Sequence, residues 1–184
     1  MRKLLPVVAL LPVLVFGTGF SFGASPKSQT ATLQFAFPTW VAIWVQNDVT
    51  WDFSNIQSNA ANPEYPPDIS AGHNFPQYYY PTDPNSSPYL VIRYWTNAAA
   101  ATNWQLTVAG DADPATWLPL SDIEYSDAGA GSWTALSTTA NPIRSGAGNT
   151  GGFENADQDW RVNITGDEEE GNVSCTVTYT METL

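Results

Sequence analysis

The sequence predicts an all-β fold, an antiparallel β-sandwich of roughly eight to ten strands with one long proline- and aromatic-rich loop. Three observations predict it. The clearest is the run Val173-Ser174-Cys175-Thr176-Val177-Thr178-Tyr179-Thr180-Met181, in which every odd position is apolar and every even one is Ser or Thr. A strand points successive side chains to opposite faces, so this run has one dry face and one hydroxyl-lined face. Similar short alternating segments recur along the chain between clusters of Gly, Pro, Asn and Asp, and no segment carries the 3.6-residue period of a strong amphipathic helix.

The first residues stand apart. Arg2 and Lys3 precede an apolar run from Leu4 to Phe16, then come the small residues Gly17, Thr18, Gly19, Ser21, Gly23 and Ala24. That order of charged, apolar and small residues is that of a secretory signal peptide. Pro6 and Pro12 interrupt the run, which is shorter than the ~20 apolar residues of a membrane span. We expect a signal at 1–23 cleaved after Gly23, a flexible segment at 24–29, and one β-sandwich domain over 30–184. No membrane span is expected after cleavage, and the expected location is extracellular, at the cell surface.

Thr30–Phe37 is the first expected strand, with Ala31, Leu33, Phe35 and Phe37 on one side. Pro38 ends it. Trp40–Val45 reads as a short apolar strand, and Asn47-Asp48 as a turn. Val49, Trp51 and Phe53 alternate with Thr50 and Asp52. Ser54–Pro88 carries seven prolines, which remove ladder donors, so it reads as a long loop and not as central sheet. It also contains Tyr65, Phe75 and Tyr78-Tyr79-Tyr80, more aromatics than a free linker needs. Tyr89–Trp95 has bulky groups on both faces and reads as central. Asn103–Ala109 places Trp104, Leu106 and Val108 inward. Shorter strands are expected at Ile123–Tyr125 and Trp133–Leu136, a glycine-rich loop at Ser145–Gly152, and a strand at Asp159–Ile164 with Trp160, Val162 and Ile164 on one face. Gly166–Gly171 turns the chain into the last strand.

The charge is net −12, from 18 acidic and six basic residues. Loss of the signal removes Arg2 and Lys3, leaving Lys27, Arg93, Arg144 and Arg161. A surface so acidic repels phosphate backbones, which argues against nucleic-acid binding and is ordinary for an exported protein. The lone cysteine, Cys175, excludes an intramolecular disulfide and, on the apolar side of its strand, reads as a small buried hydrophobe.

Groups for catalysis are sparse. His73 is the only histidine, and no Gly-x-Ser-x-Gly elbow surrounds any serine. Asp111/Asp113 and Asp157/Asp159 could be carboxylate pairs, yet both sit at expected turns or strand ends, where acidic residues serve the backbone. Asp167, Glu168, Glu169 and Glu170 could offer oxygens to calcium from one turn, but the EF-hand pattern is absent and a solvated charge run explains them. No catalytic residue, metal site or cofactor is expected. Asn85, Asn163 and Asn172 each begin a glycosylation-type triplet. Eight tryptophans invite a carbohydrate-binding reading; most lie at strand positions where core packing explains them, which leaves Tyr78, Tyr79 and Tyr80 as the candidate ligand contacts.

Trp104-Gln105-Leu106 followed by Thr107-Val108, the closing Tyr179-Thr180-Met181, and Val49–Phe53 together resemble WxL-type surface domains of bacteria. Those domains have an early Trp-x-Leu strand and a second such motif at the end, where this chain has Tyr179 and Met181. The resemblance spans residues 49–184 and implies a secreted, non-catalytic β-sandwich attached to the cell envelope, with peptidoglycan as the family's ligand. Three readings of function follow: a structural or attachment protein of the cell surface, whose partner is an envelope polymer or copies of itself; a fibre subunit that assembles by strand addition through residues 25–37; and a carbohydrate-binding module using Tyr78–Tyr80.

Overall fold

The computed structural model describes residues 32–54, 56 and 62–184. The expected signal, and Thr30 and Ala31 of the first expected strand, lie outside them. Residues Phe37–Leu184 form a compact unit. Among the described residues the chain is almost wholly β, with ten strands in three antiparallel sheets and two short 3-10 turns, Ile69–Ala71 and Leu120–Asp122. In chain order the strands are β1 (Val41–Gln46), β2 (Gln77–Tyr79), β3 (Val91–Thr96), β4 (Asn103–Gly110), β5 (Ile123–Asp127), β6 (Thr134–Ala135), β7 (Asn141–Ala147), β8 (Glu154–Asn155), β9 (Gln158–Ile164) and β10 (Val177–Thr183).

The sheets have the orders β1-β3-β8, β10-β4-β7 and β2-β9-β5-β6. The alternation read from the sequence sets which side chains fill the core. β3 buries Ile92, Tyr94 and Thr96, β4 buries Trp104, Leu106 and Val108, and β9 buries Trp160, Val162 and Ile164. Leu106, fully buried on the central strand of its sheet, lies opposite Met181 of β10. Truncating such a side chain to Ala costs about 2–5 kcal/mol. Thr96 is a buried hydroxyl made safe by two partners: its Oγ1 donates to Trp40 O at 2.9 Å and accepts from Ala98 N at 3.1 Å.

Several expectations are corrected. Residues 32–37 join no sheet, and Leu33, Phe35 and Phe37 are 70, 77 and 82 % exposed. Pairing begins only after Pro38, because the Asn97 side chain binds both Pro38 O and Trp40 N there and so sets where β1 enters its ladder with β3. Val49–Phe53 is reduced to one bridge, Thr50 with Asp83; the Trp51 indole donates to Tyr79 O, and Trp51 and Phe53 pack on the core. The proline-rich loop contains β2, a three-residue edge strand on β9 bounded by Pro76 and Pro81, where missing donors are tolerated.

β7 and β8 were not expected. β7 carries Pro142 and pairs at the edge of its sheet with a register shift: Leu106 faces Arg144 and Thr107 faces Pro142, so Ile143 is bulged out. The last strand is shorter than its sequence promises. Val177 pairs with Gly110, the final residue of β4, and beyond it residues 173–176 have no strand opposite them.

Candidate functional site

Tyr78, Tyr79 and Tyr80 are not gathered on one surface. Tyr78 is exposed, with the Arg161 guanidinium 3.8 Å from its ring centroid; the same guanidinium lies over the Trp133 ring at 4.3 Å, and Arg161 is ion-paired to Glu124 at 2.6 Å. Tyr79 is fully buried, its ring against Phe53 and Tyr65 and its hydroxyl donating to Glu64 O at 3.0 Å. Burial pushes its pKa up to about 12. Tyr80 stacks on Tyr89 and meets Trp133 edge-on. Strand β2 turns Tyr79 to the opposite side from its neighbours, and internal rings cover what remains. The three rings therefore do not make one flat platform.

The carboxylates singled out from the sequence hold backbone. Asp157 accepts from Ile92 N at 3.0 Å and Asp159 from Gly129 N at 2.8 Å. Asp113 accepts from Leu120 N, and Asp111 from Ala112 N and Thr176 N. In the acidic turn, Glu168 accepts from Thr165 N and Gly166 N, and Asp167 from the Thr165 hydroxyl. Among the described residues no three His, Cys, Asp or Glu side chains come together as a metal would need. His73 follows the first 3-10 turn, its N–H donating to Asp68 O.

The WxL-like positions do come together. Trp104 and Leu106 on β4 face Thr183 and Met181 on β10, and Tyr179 faces Val108. Trp104, Leu106 and Met181 are buried, so they build the sandwich and present little surface to a polymer.

What sequence reasoning missed is a groove of about 830 Å³. Its lining runs from Val45 to Phe53 on one side and from Glu168 to Val177 on the other, and includes the core side chains Leu90, Ile123, Trp160, Val162 and Ile164. Asp48, Glu168, Glu169 and Glu170 supply its acidic groups. Trp160 is buried, and among the described residues its indole N–H has no hydrogen-bond partner.

Residues 173–176, which lie outside any strand, border this groove. Their position is fixed by a two-way clamp: Asp111 N donates to Thr176 O at 3.0 Å, and Thr176 N donates to the Asp111 carboxylate at 2.9 Å. Cys175 lines the groove half-buried; desolvation, then the charge of Asp111, raises its thiol pKa, so the thiol stays protonated and a poor nucleophile at neutral pH. The arrangement suits the burial of apolar side chains beside an unpaired stretch of extended chain. The signal for it is a mismatch: the nine residues 173–181 have strand pattern, and the β4 they pair with ends at Gly110.

Comparison with protein-family models, with curated proteins and with solved structures found no match to this chain.

Proposed function

We propose that this chain is an exported, non-catalytic structural protein of the cell surface whose copies assemble by β-strand addition. The observation that carries the reading is the segment 32–37. It has the alternation of a strand, exposes Leu33, Phe35 and Phe37, and belongs to none of the three sheets. An alternating apolar strand without a partner is a pairing element, and natural proteins leave one exposed where another chain completes it. The signal-like first 23 residues support export, and the engagement of Asp111, Asp113, Asp157 and Asp159 with backbone amides supports a scaffold.

Negative-stain microscopy of the concentrated, exported protein tests this. Fibres or short chains are expected, and deletion of residues 25–37 should return single particles. Monodisperse particles both with and without the segment would end the reading.

A second reading, attachment to an envelope polymer, is favoured by the pairing of the two WxL-like segments as neighbouring strands, Leu106 opposite Met181. Retention of the protein on isolated cell walls is its expected outcome. Recovery of all the protein in the unbound fraction would remove it.

A further inference from the structure

Among the described residues, 32–37 and 173–176 have strand sequence and belong to no strand pair. In the second, Val173 and Cys175 continue the apolar face of β10 past the point where β4 ends. Local pattern and observed pairing disagree at both places, and such disagreements mark functional sites more often than errors of folding. The second segment lies along the groove, and the first carries three apolar side chains able to fill one.

Resting on the assembly reading, we infer that residues 32–37 of one copy dock into this groove of the next, as an added strand along residues 173–175. The added strand runs about 20 Å and sets Leu33, Phe35 and Phe37 on one face at intervals of about 6.6 Å. That face meets the apolar lining from Val49, Trp51, Trp160 and Val177, while its backbone supplies the ladder that β4 does not. The donor segment and the groove are different parts of the chain, so a contact between copies is heterologous, head-to-tail, and propagates into a filament.

Charge agrees with the occupant. Residues 28–39 of the donor contain no acidic or basic side chain, and Lys27 precedes Leu33 by six residues, while the groove carries Asp48 and Glu168–Glu170. A neutral apolar strand led by one cation suits an apolar groove with acidic groups, and assembly weakens with salt to the extent that Lys27 takes part.

The single cysteine makes the geometry testable. In the exported full chain, Phe35→Cys adds one thiol to Cys175. Treatment with a thiol oxidant at mildly alkaline pH then gives a ladder of dimers, trimers and longer species on a non-reducing gel. Alternating 35–35 and 175–175 bonds would also extend past a dimer, so peptide mapping of the ladder must find position 35 joined to Cys175, and homotypic bonds alone would overturn the docking. Adding Cys175→Ser must collapse the ladder to dimers at most.

Independently, Val173→Arg disables the groove at a residue that is 41 % exposed and outside any strand, and Phe35→Asp disables the donor. Each variant alone stays monomeric, and their mixture gives a 1:1 heterodimer, one donor meeting one groove. Fibres that persist in Val173→Arg, with no ladder in Phe35→Cys, overturn the groove as acceptor and leave strand-mediated assembly standing. A fast-migrating intramolecular disulfide with no ladder overturns the inference in favour of the chain's own segment. Single particles in every sample remove both the inference and the reading beneath it.

Discussion

The hydroxyl of Tyr179 donates to the side-chain oxygen of Gln158 at 2.5 Å, and through this contact one buried residue ties all three sheets together. Gln158 opens β9 in the third sheet. Its backbone exchanges two hydrogen bonds with Leu90, at the threshold of β3 in the first sheet, and its side chain reaches Tyr179 on β10 in the second. Gln158 is 1 % exposed, and among the described residues its amide nitrogen has no partner. Tyr179→Phe therefore strips a buried oxygen of its hydrogen bond and is expected to cost about 1–3 kcal/mol, read as a lower denaturant midpoint. Replacing both partners, as Gln158→Leu with Tyr179→Phe, should recover part of that loss. Strict additivity of the two would show that the bond contributes nothing.

Gly146 of β7 faces Trp104 of β4, and a Cβ on Gly146 would stand 2.5 Å from Cζ2 of that indole. The obstacle is a rigid fused ring already packed against Tyr94 at 5.5 Å between centroids. Gly146→Ala must displace it, and overpacking of this kind costs about 1–3 kcal/mol. Adding Trp104→Phe returns room, so the double variant should lose less than the sum of the two single losses. Near-ultraviolet circular dichroism reports the displaced indole. A spectrum unchanged in Gly146→Ala would contradict the contact.

Period-two alternation made the central strands legible. Trp104, Leu106 and Val108 on β4, and Trp160, Val162 and Ile164 on β9, are buried as their spacing requires. Strands at sheet edges were harder to read because their sequences need not alternate: β7 contains Pro142 and a bulge at Ile143, and β8 is only two residues long. Elsewhere alternation has no partner. Residues 32–37 and 173–176 have the pattern of strands, but pairing depends on what lies opposite: the β1 ladder begins only at Val41, and β4 ends at Gly110. The groove was illegible for the same reason, being formed by segments about 120 residues apart that tertiary packing alone brings together.

The clamp between Asp111 and Thr176 gives the groove a dependence on acid. The backbone N–H of Thr176, then that of Ala112, hold the Asp111 carboxyl below its ordinary value of 3.8. A carboxyl with a lowered folded pKa contributes in full above the unfolded value and loses its contribution as pH falls through the folded one. The clamp is thus intact at about pH 4 and loosens only as pH falls through the lowered folded value. Cys175, next to Thr176, is the reporter: its reaction with an acid-tolerant disulfide reagent should accelerate below pH 4 in the native sequence. In Asp111→Asn the same rate should be flat across that window. Superimposable profiles for the two proteins would dissociate Asp111 from the position of residues 173–176.

At the other end of the pH scale the tyrosines decide. Burial raises the phenol pKa of Tyr65, Tyr79, Tyr89, Tyr94, Tyr125 and Tyr179, six of the eight in the chain. Water cannot reach these oxygens freely, and a phenolate there would lack solvation that the neutral hydroxyl does not need. The folded state therefore favours the protonated form. Its stability is fully present below the unfolded pKa of 10 and falls as pH rises above it, because the unfolded chain releases protons that the folded chain retains. Two readings of one sample check this. At about pH 11 the native chain should show much less phenolate absorbance than the chain in denaturant, where all eight titrate near their ordinary value. The denaturant midpoint should fall across the same interval. Tyr79→Phe removes one of the retained protons, and also the hydroxyl that donates to Glu64 O, so its midpoint should start lower at neutral pH and decline less steeply in alkali. A native absorbance that rises with that of the unfolded chain would show these rings to be open to water, and the sandwich core that Tyr79, Tyr94 and Tyr125 share would have to be redrawn.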